Sequence, residues 1–132
     1  MNQRANEPTR LRKTVSRAAD SRRRPSKPRA PGAGCFVVVY LHSPREKHWG
    51  TLLQMDAAGL WLRGIELESF DAWAREQASD EPGPMGLTTF FVPFLRVDKV
   101  TLDERVGVVP SLCERFEVMT GRPVEEALGG EQ

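Results

Sequence analysis

No apolar run in these 132 residues approaches the length of about 20 that crosses a bilayer. The longest, Cys35 to Leu41, is strand-sized. The N-terminus shows no apolar stretch of the secretory kind, so a cytoplasmic location is expected. Cysteine is scarce. Cys35 and Cys113 are the only two, their wide spacing carries no redox or metal motif, and each is expected to behave as a small hydrophobe. Histidine is equally scarce, and His42 and His48 have no Cys or carboxylate at a recognisable ligand spacing, so no metal is expected. Gly83-Pro84-Met85-Gly86 lacks the Lys-Ser/Thr and the following helix of a phosphate loop. Ser69 and Ser111 stand where helix caps stand, without the surroundings of a nucleophile elbow. Asp71 and Glu76 read as charges on a helix face rather than an acid–base pair. These absences point to a protein that is not an enzyme and takes no cofactor. No long-period repeat is present.

What is present is an asymmetry hidden by the net charge of +1. Residues 1–34 hold ten basic side chains against two acidic, while residues 35–132 hold nine against sixteen. A basic arm is joined to an acidic body, and the arm is the part suited to polyanions. It contains four prolines and almost no large apolar side chains, so it cannot bury enough surface to offset its ordering entropy. It is expected to be disordered. Arg10, Arg12, Lys13, Arg22, Arg23, Arg24, Lys27 and Arg29 are its candidate nucleic-acid contacts. They would act through counterion release without sequence preference, since the arm has no aromatic residue to stack on a base.

The body, residues 35–128, reads as one domain that is mainly β with two short helices. Phe36–His42 is β-branched and aromatic, a buried strand between Pro31-Gly32 and Ser43-Pro44. Arg45-Glu46-Lys47 reads as a charged turn. His48–Asp56 and Leu60–Leu67 are strands with internal Gly50 and Gly64, which mark close backbone approach and strong coiling. Asp56 to Gly59 is a short turn, with Gly59 expected in a left-handed conformation. The period then changes. Phe70, Trp73 and Ala74 share one face of a helix over Phe70–Ala78, capped by Ser69. Ser79–Gly86 is a loop. Leu87–Phe94 is a strand whose Pro93 demands an edge or bulge. Leu95–Asp103 is a bent strand, because Val97, Val100 and Leu102 break strict alternation. Ser111 and Glu114 form a capping box for a helix over Leu112–Thr120, ended by Gly121 and Pro123, and Val124–Leu128 can add one amphipathic turn. Trp61 is expected in the core with Phe70 and Trp73.

Five short bent strands close most economically as an SH3-like small barrel with a helix inserted after the third strand; an open sheet with helices on one face is the alternative. The stretch Thr88 to Leu102 resembles the closing strands of Sm-like proteins. There an apolar strand reaches a short turn, and a bent strand spaced apolar-x-x-apolar-x-apolar follows. With Trp49 to Asp56 and Leu60 to Leu62, the resemblance spans roughly residues 36–102. It implies a small barrel and assembly into a dimer or ring through strand edges. The Asp/Asn pair with an aromatic that Sm-like RNA binders carry is represented by Asp56 alone, followed by Ala57-Ala58-Gly59. Arg63-Gly64 falls inside the third strand, so no RNA-pocket residue is carried over.

On the body, His42, Arg45, Lys47 and His48 are the candidate partner or anion site, because they concentrate cations and imidazoles beside Trp49 in an acidic body. The expected function is a non-catalytic interaction or self-assembly module with a polybasic arm, the alternative being Sm-like RNA binding. Expected partners are a further copy of the chain through strand edges and nucleic acid through residues 1–34.

Overall fold

Val37, Val39 and Leu41 alternate with Val38 along β1 (Phe36–Leu41), so the strand carries apolar side chains on both faces and needs cover on both. It lies between two neighbours in a computed structural model, which describes residues 32–81 and 83–129. β2 (Glu46–Met55), β3 (Gly59–Glu66), β4 (Thr88–Pro93) and β5 (Val97–Leu102) complete one antiparallel sheet, ordered β4-β3-β2-β1-β5. The sheet is not closed. β4 and β5 are its two edges, and no ladder joins them among the described residues.

One face holds Val37, Val39, Leu41, Leu52, Leu60, Leu62 and Val92. Both edge strands reach this cluster, β4 through Phe90 and Val92 and β5 through Val97, Val100 and Leu102. Val37, Val39, Leu52, Leu60 and Leu62 are fully buried on this face, while the helix residues pack in the cluster of the other face, so the sheet curls over itself and this face is concave. Gly50 and Gly64 are register partners in the middle of β2 and β3. A Cβ on Gly50 would lie 2.6 Å from Gly64 Cα and 2.3 Å from the Arg63 carbonyl. Only glycine allows this approach, and the approach lets the two strands coil.

The convex face is covered by α1 (Phe70–Ala78), α2 (Leu112–Thr120) and α3 (Val124–Gly129). Trp49 is fully buried there, stacked on Phe36 at 5.5 Å and meeting Phe70 edge-on at 5.0 Å. Trp73 lies 5.7 Å from Trp49 and 5.1 Å from Phe116. Each such ring, taken from water, contributes roughly 1.5–3 kcal/mol. α2 begins on the reciprocal capping box of Ser111 and Glu114 and ends at Gly121, whose φ of 75° is left-handed.

The structure differs locally from the sequence reading. β2 starts at Glu46, so the chain reverses over His42–Arg45 and Glu46 and Lys47 belong to the strand. Ser69 makes no side-chain cap. A 3-10 turn at Leu67–Ser69 runs straight into α1, and its Leu67 carbonyl already accepts the Phe70 N–H. Gly59 is not left-handed; it lies in β3, where a Cβ would come 2.2 Å from the Val92 carbonyl. The body also begins before Cys35: Gly34 N–H donates to the Leu52 carbonyl at 2.7 Å. Residues 1–31, most of the expected arm, lie outside the described residues.

Candidate functional site

Arg96, on the 3-10 turn Phe94–Arg96 between β4 and β5, fixes the reversal after β1. Its Nε donates to the His42 carbonyl at 3.3 Å and its Nη2 to the Pro44 carbonyl at 2.9 Å. The His42 N–H donates back to the Arg96 carbonyl at 3.0 Å. The first turn is therefore held from across the molecule, and His42 and Arg45 project from it into solvent.

Strand alternation then separates His48 from the other candidate residues. Lys47 is the register partner of Tyr40, while His48 is the partner of Val39 and of Glu66. Val39 belongs to the concave cluster, so His48 follows it to the concave face and Lys47 points the other way. His42, Arg45 and Lys47 thus line one cleft, and His48 lies apart from them on the other face.

On the concave side, Glu46, His48 and Glu66 converge, because Glu46 and His48 are two apart on β2 and Glu66 faces His48 on β3. Their ligand atoms lie within 4.8 Å of one another. His48 Nε2 is 3.2 Å from Glu46 Oε1, and its ring tilts against Phe90 at 5.0 Å. His48 Nδ1 is buried without a hydrogen-bond partner among the described residues. Glu46 also faces the Arg96 guanidinium at 3.7 Å. Among the described residues this is the group that could hold a divalent cation, although Arg96 already supplies Glu46 with positive charge. A cleft of about 380 Å³ opens beside it, lined by Arg45, Lys47, Glu66 and Glu68.

On the convex side Tyr40 has Lys47 opposite it on β2 and Lys99 opposite it on β5. Their Nζ atoms lie 5.5 and 4.8 Å from its ring centre. A second cleft, about 360 Å³, is lined by Tyr40, Leu41, His42, Arg45, Glu46, Lys47, Asp98 and Lys99.

A third feature escaped the sequence reading. Trp61 is 40% exposed and its register partner Phe91 is 38% exposed, with ring centres 5.4 Å apart. Leu53, the unpaired residue of the bulge in β2, is exposed as well. Trp61 was expected in the core. The alternation of Leu60, Trp61 and Leu62 held the signal, because two buried leucines force the residue between them outward. The pair borders β4, whose outer edge has no strand partner among the described residues.

Arg10, Arg12, Lys13, Arg22, Arg23, Arg24, Lys27 and Arg29 lie outside the described residues. No helix among those described is long and apolar enough to cross a membrane. Comparison with protein-family models, with curated proteins and with solved structures finds no match to this chain.

Proposed function

We propose that the body is a non-catalytic interaction module that self-associates through the edge of β4, and that the arm of residues 1–34 adds electrostatic contacts to nucleic acid. One observation carries this reading: the exposed Trp61–Phe91 pair beside a strand edge that has no partner among the described residues. An unpaired edge is a template for another strand, and aromatic side chains flanking it supply apolar area at small entropic cost. A further copy pairing along β4 would satisfy the edge backbone and cover both rings together.

The finer reading of the architecture is a small barrel of the Sm-like or SH3-like kind. Its support is the strand order, the curl that brings β4 and β5 to one apolar cluster, and the one-turn link between those two strands. The same resemblance implies assembly through strand edges.

Light scattering on the full chain at tens of micromolar tests the proposal. An oligomer is expected, and Phe91→Lys shifts it to monomer with the fold intact by circular dichroism. A strictly monomeric parent removes the reading.

A further inference from the structure

We propose that the convex face around Tyr40 is a second contact for nucleic acid, a single-stranded site on the body itself, with Tyr40 as the stacking platform and Lys47 and Lys99 as phosphate contacts. The argument starts from register. Tyr40 sits on β1, between β2 and the edge strand β5, and its two cross-strand partners are both lysines. Three adjacent strands therefore present Lys-Tyr-Lys in one rung, with both ammonium groups within 5.5 Å of one ring centre. Like charges gathered in this way repel, and a polyanion relieves the repulsion.

The charge pattern of the body singles this place out. Arg96, Arg105, Arg115 and Arg122 are each paired with a carboxylate, to Glu46, Glu114, Asp71 and Glu126. Among the described residues, Arg45, Lys47, Lys99 and Arg75 have no carboxylate at ion-pair distance, and the first three lie together. In a body with sixteen acids against nine bases, Arg45, Lys47 and Lys99 line one cleft around one aromatic ring, with His42 beside them and Glu46 and Asp98 as the acids of the lining.

The chemistry that fits is a base with phosphates on either side. A base can take the place of an ammonium over the Tyr40 ring, and the displaced lysines can then reach the flanking phosphates. Asp98, the residue at the β5 bulge, and Glu46 line the same cleft and repel a lone anion. That favours a ligand held at several phosphates and a base over a single free phosphate. The site is geometrically separate from the Trp61–Phe91 pair, and it does not depend on self-association.

Tyr40 is the only tyrosine in the chain, so fluorotyrosine labelling gives one fluorine resonance that reports this ring alone. The full-length labelled protein is titrated with a uridylate dodecamer, with inorganic polyphosphate and with poly-aspartate, while anisotropy follows total binding. The dodecamer is expected to shift the resonance; the two base-free polyanions are expected to leave it in place. Lys47→Ala with Lys99→Ala should abolish the shift. It should also lower the log–log salt slope by about 1.4, from about 0.7 per phosphate contact on a single strand. Both lysines are exposed, and circular dichroism verifies that the variant folds. A resonance that stays put at saturating dodecamer overturns the proposal. So does an equal shift with polyphosphate or poly-aspartate, which would make the face a general anion or acidic-peptide contact.

Discussion

The indole Nε1 of Trp49 donates to Oδ2 of Asp103 at 3.1 Å, although the two residues are 54 positions apart. The same carboxylate accepts the Leu112 N–H at 2.7 Å and the Cys113 N–H at 2.9 Å. One acid thus satisfies the buried indole at the centre of the aromatic cluster and two unpaired donors at the start of α2. It ties the helix to the sheet at the point where both would otherwise leave polar groups unpartnered.

Asp103→Ala should therefore cost roughly 2–4 kcal/mol in denaturant melts, combining a lost helix cap with an unsatisfied indole N–H. Asp103→Asn, which keeps one acceptor oxygen, should cost less. A loss below about 0.5 kcal/mol for the alanine variant would show that water replaces the carboxylate at no penalty.

Trp73 is 1% exposed and touches Trp49, Phe70 and Phe116. Trp73→Ala should lower unfolding free energy by about 3–5 kcal/mol through lost transfer and an unfilled cavity. A fall of less than about 1 kcal/mol would mean that α1 collapses onto the gap.

Two groups give stability opposite pH slopes. Burial, and then the Asp103 carboxylate, push the Cys113 thiol well above its ordinary range. The folded chain keeps that proton where the unfolded chain loses it. The stabilisation is full below the unfolded thiol value of about 8.5 and is lost as pH rises beyond it. The Ser111 backbone N–H, and then Arg105, hold Glu114 below its usual range. Its contribution is present above about 4.3 and is lost as pH falls through the folded value. Melting temperatures across pH should show Cys113→Ala flattening the alkaline limb and Glu114→Gln the acid limb; unchanged limbs would contradict the assignment.

Phe91 and Val92 are neighbours with opposite fates. Val92 is 3% exposed in the concave cluster, so Val92→Lys buries an unpaired charge and should unfold the body. Phe91→Lys places its charge on the surface and should change only the oligomeric state. If both variants fold and dissociate alike, the facing of β4 is wrong.

Binding through the arm should carry its own signature. With about half of its ten cations engaged, the log–log salt slope should be about −3 to −5, and removing residues 1–31 should remove most of it. Undiminished affinity after that truncation would assign nucleic-acid binding to the body alone.

The local chemistry of this chain was legible in its residues. The Ser111/Glu114 capping box, Gly121 as helix stop, and the Phe70–Trp73–Ala74 face depend on contacts within a few positions, and α1 and α2 occupy the residues their patterns predict. Paired mid-strand glycines announced the close backbone approach of β2 and β3, because a missing side chain leaves room that only a neighbouring backbone fills. Pairing between strands decided the rest. Whether Lys47 and His48 share a site depends on which face each takes, and a strand boundary two residues earlier was enough to obscure that. Asp103 looked like the end of a strand, since nothing near it in sequence reveals a bond to Trp49 or a role at α2. Tyr40 became a ring between two lysines only when β5 settled beside β1. Short-range patterns are set by backbone geometry, which each residue carries with it. Cross-strand neighbours are set by the curl of the whole sheet, which no single segment contains.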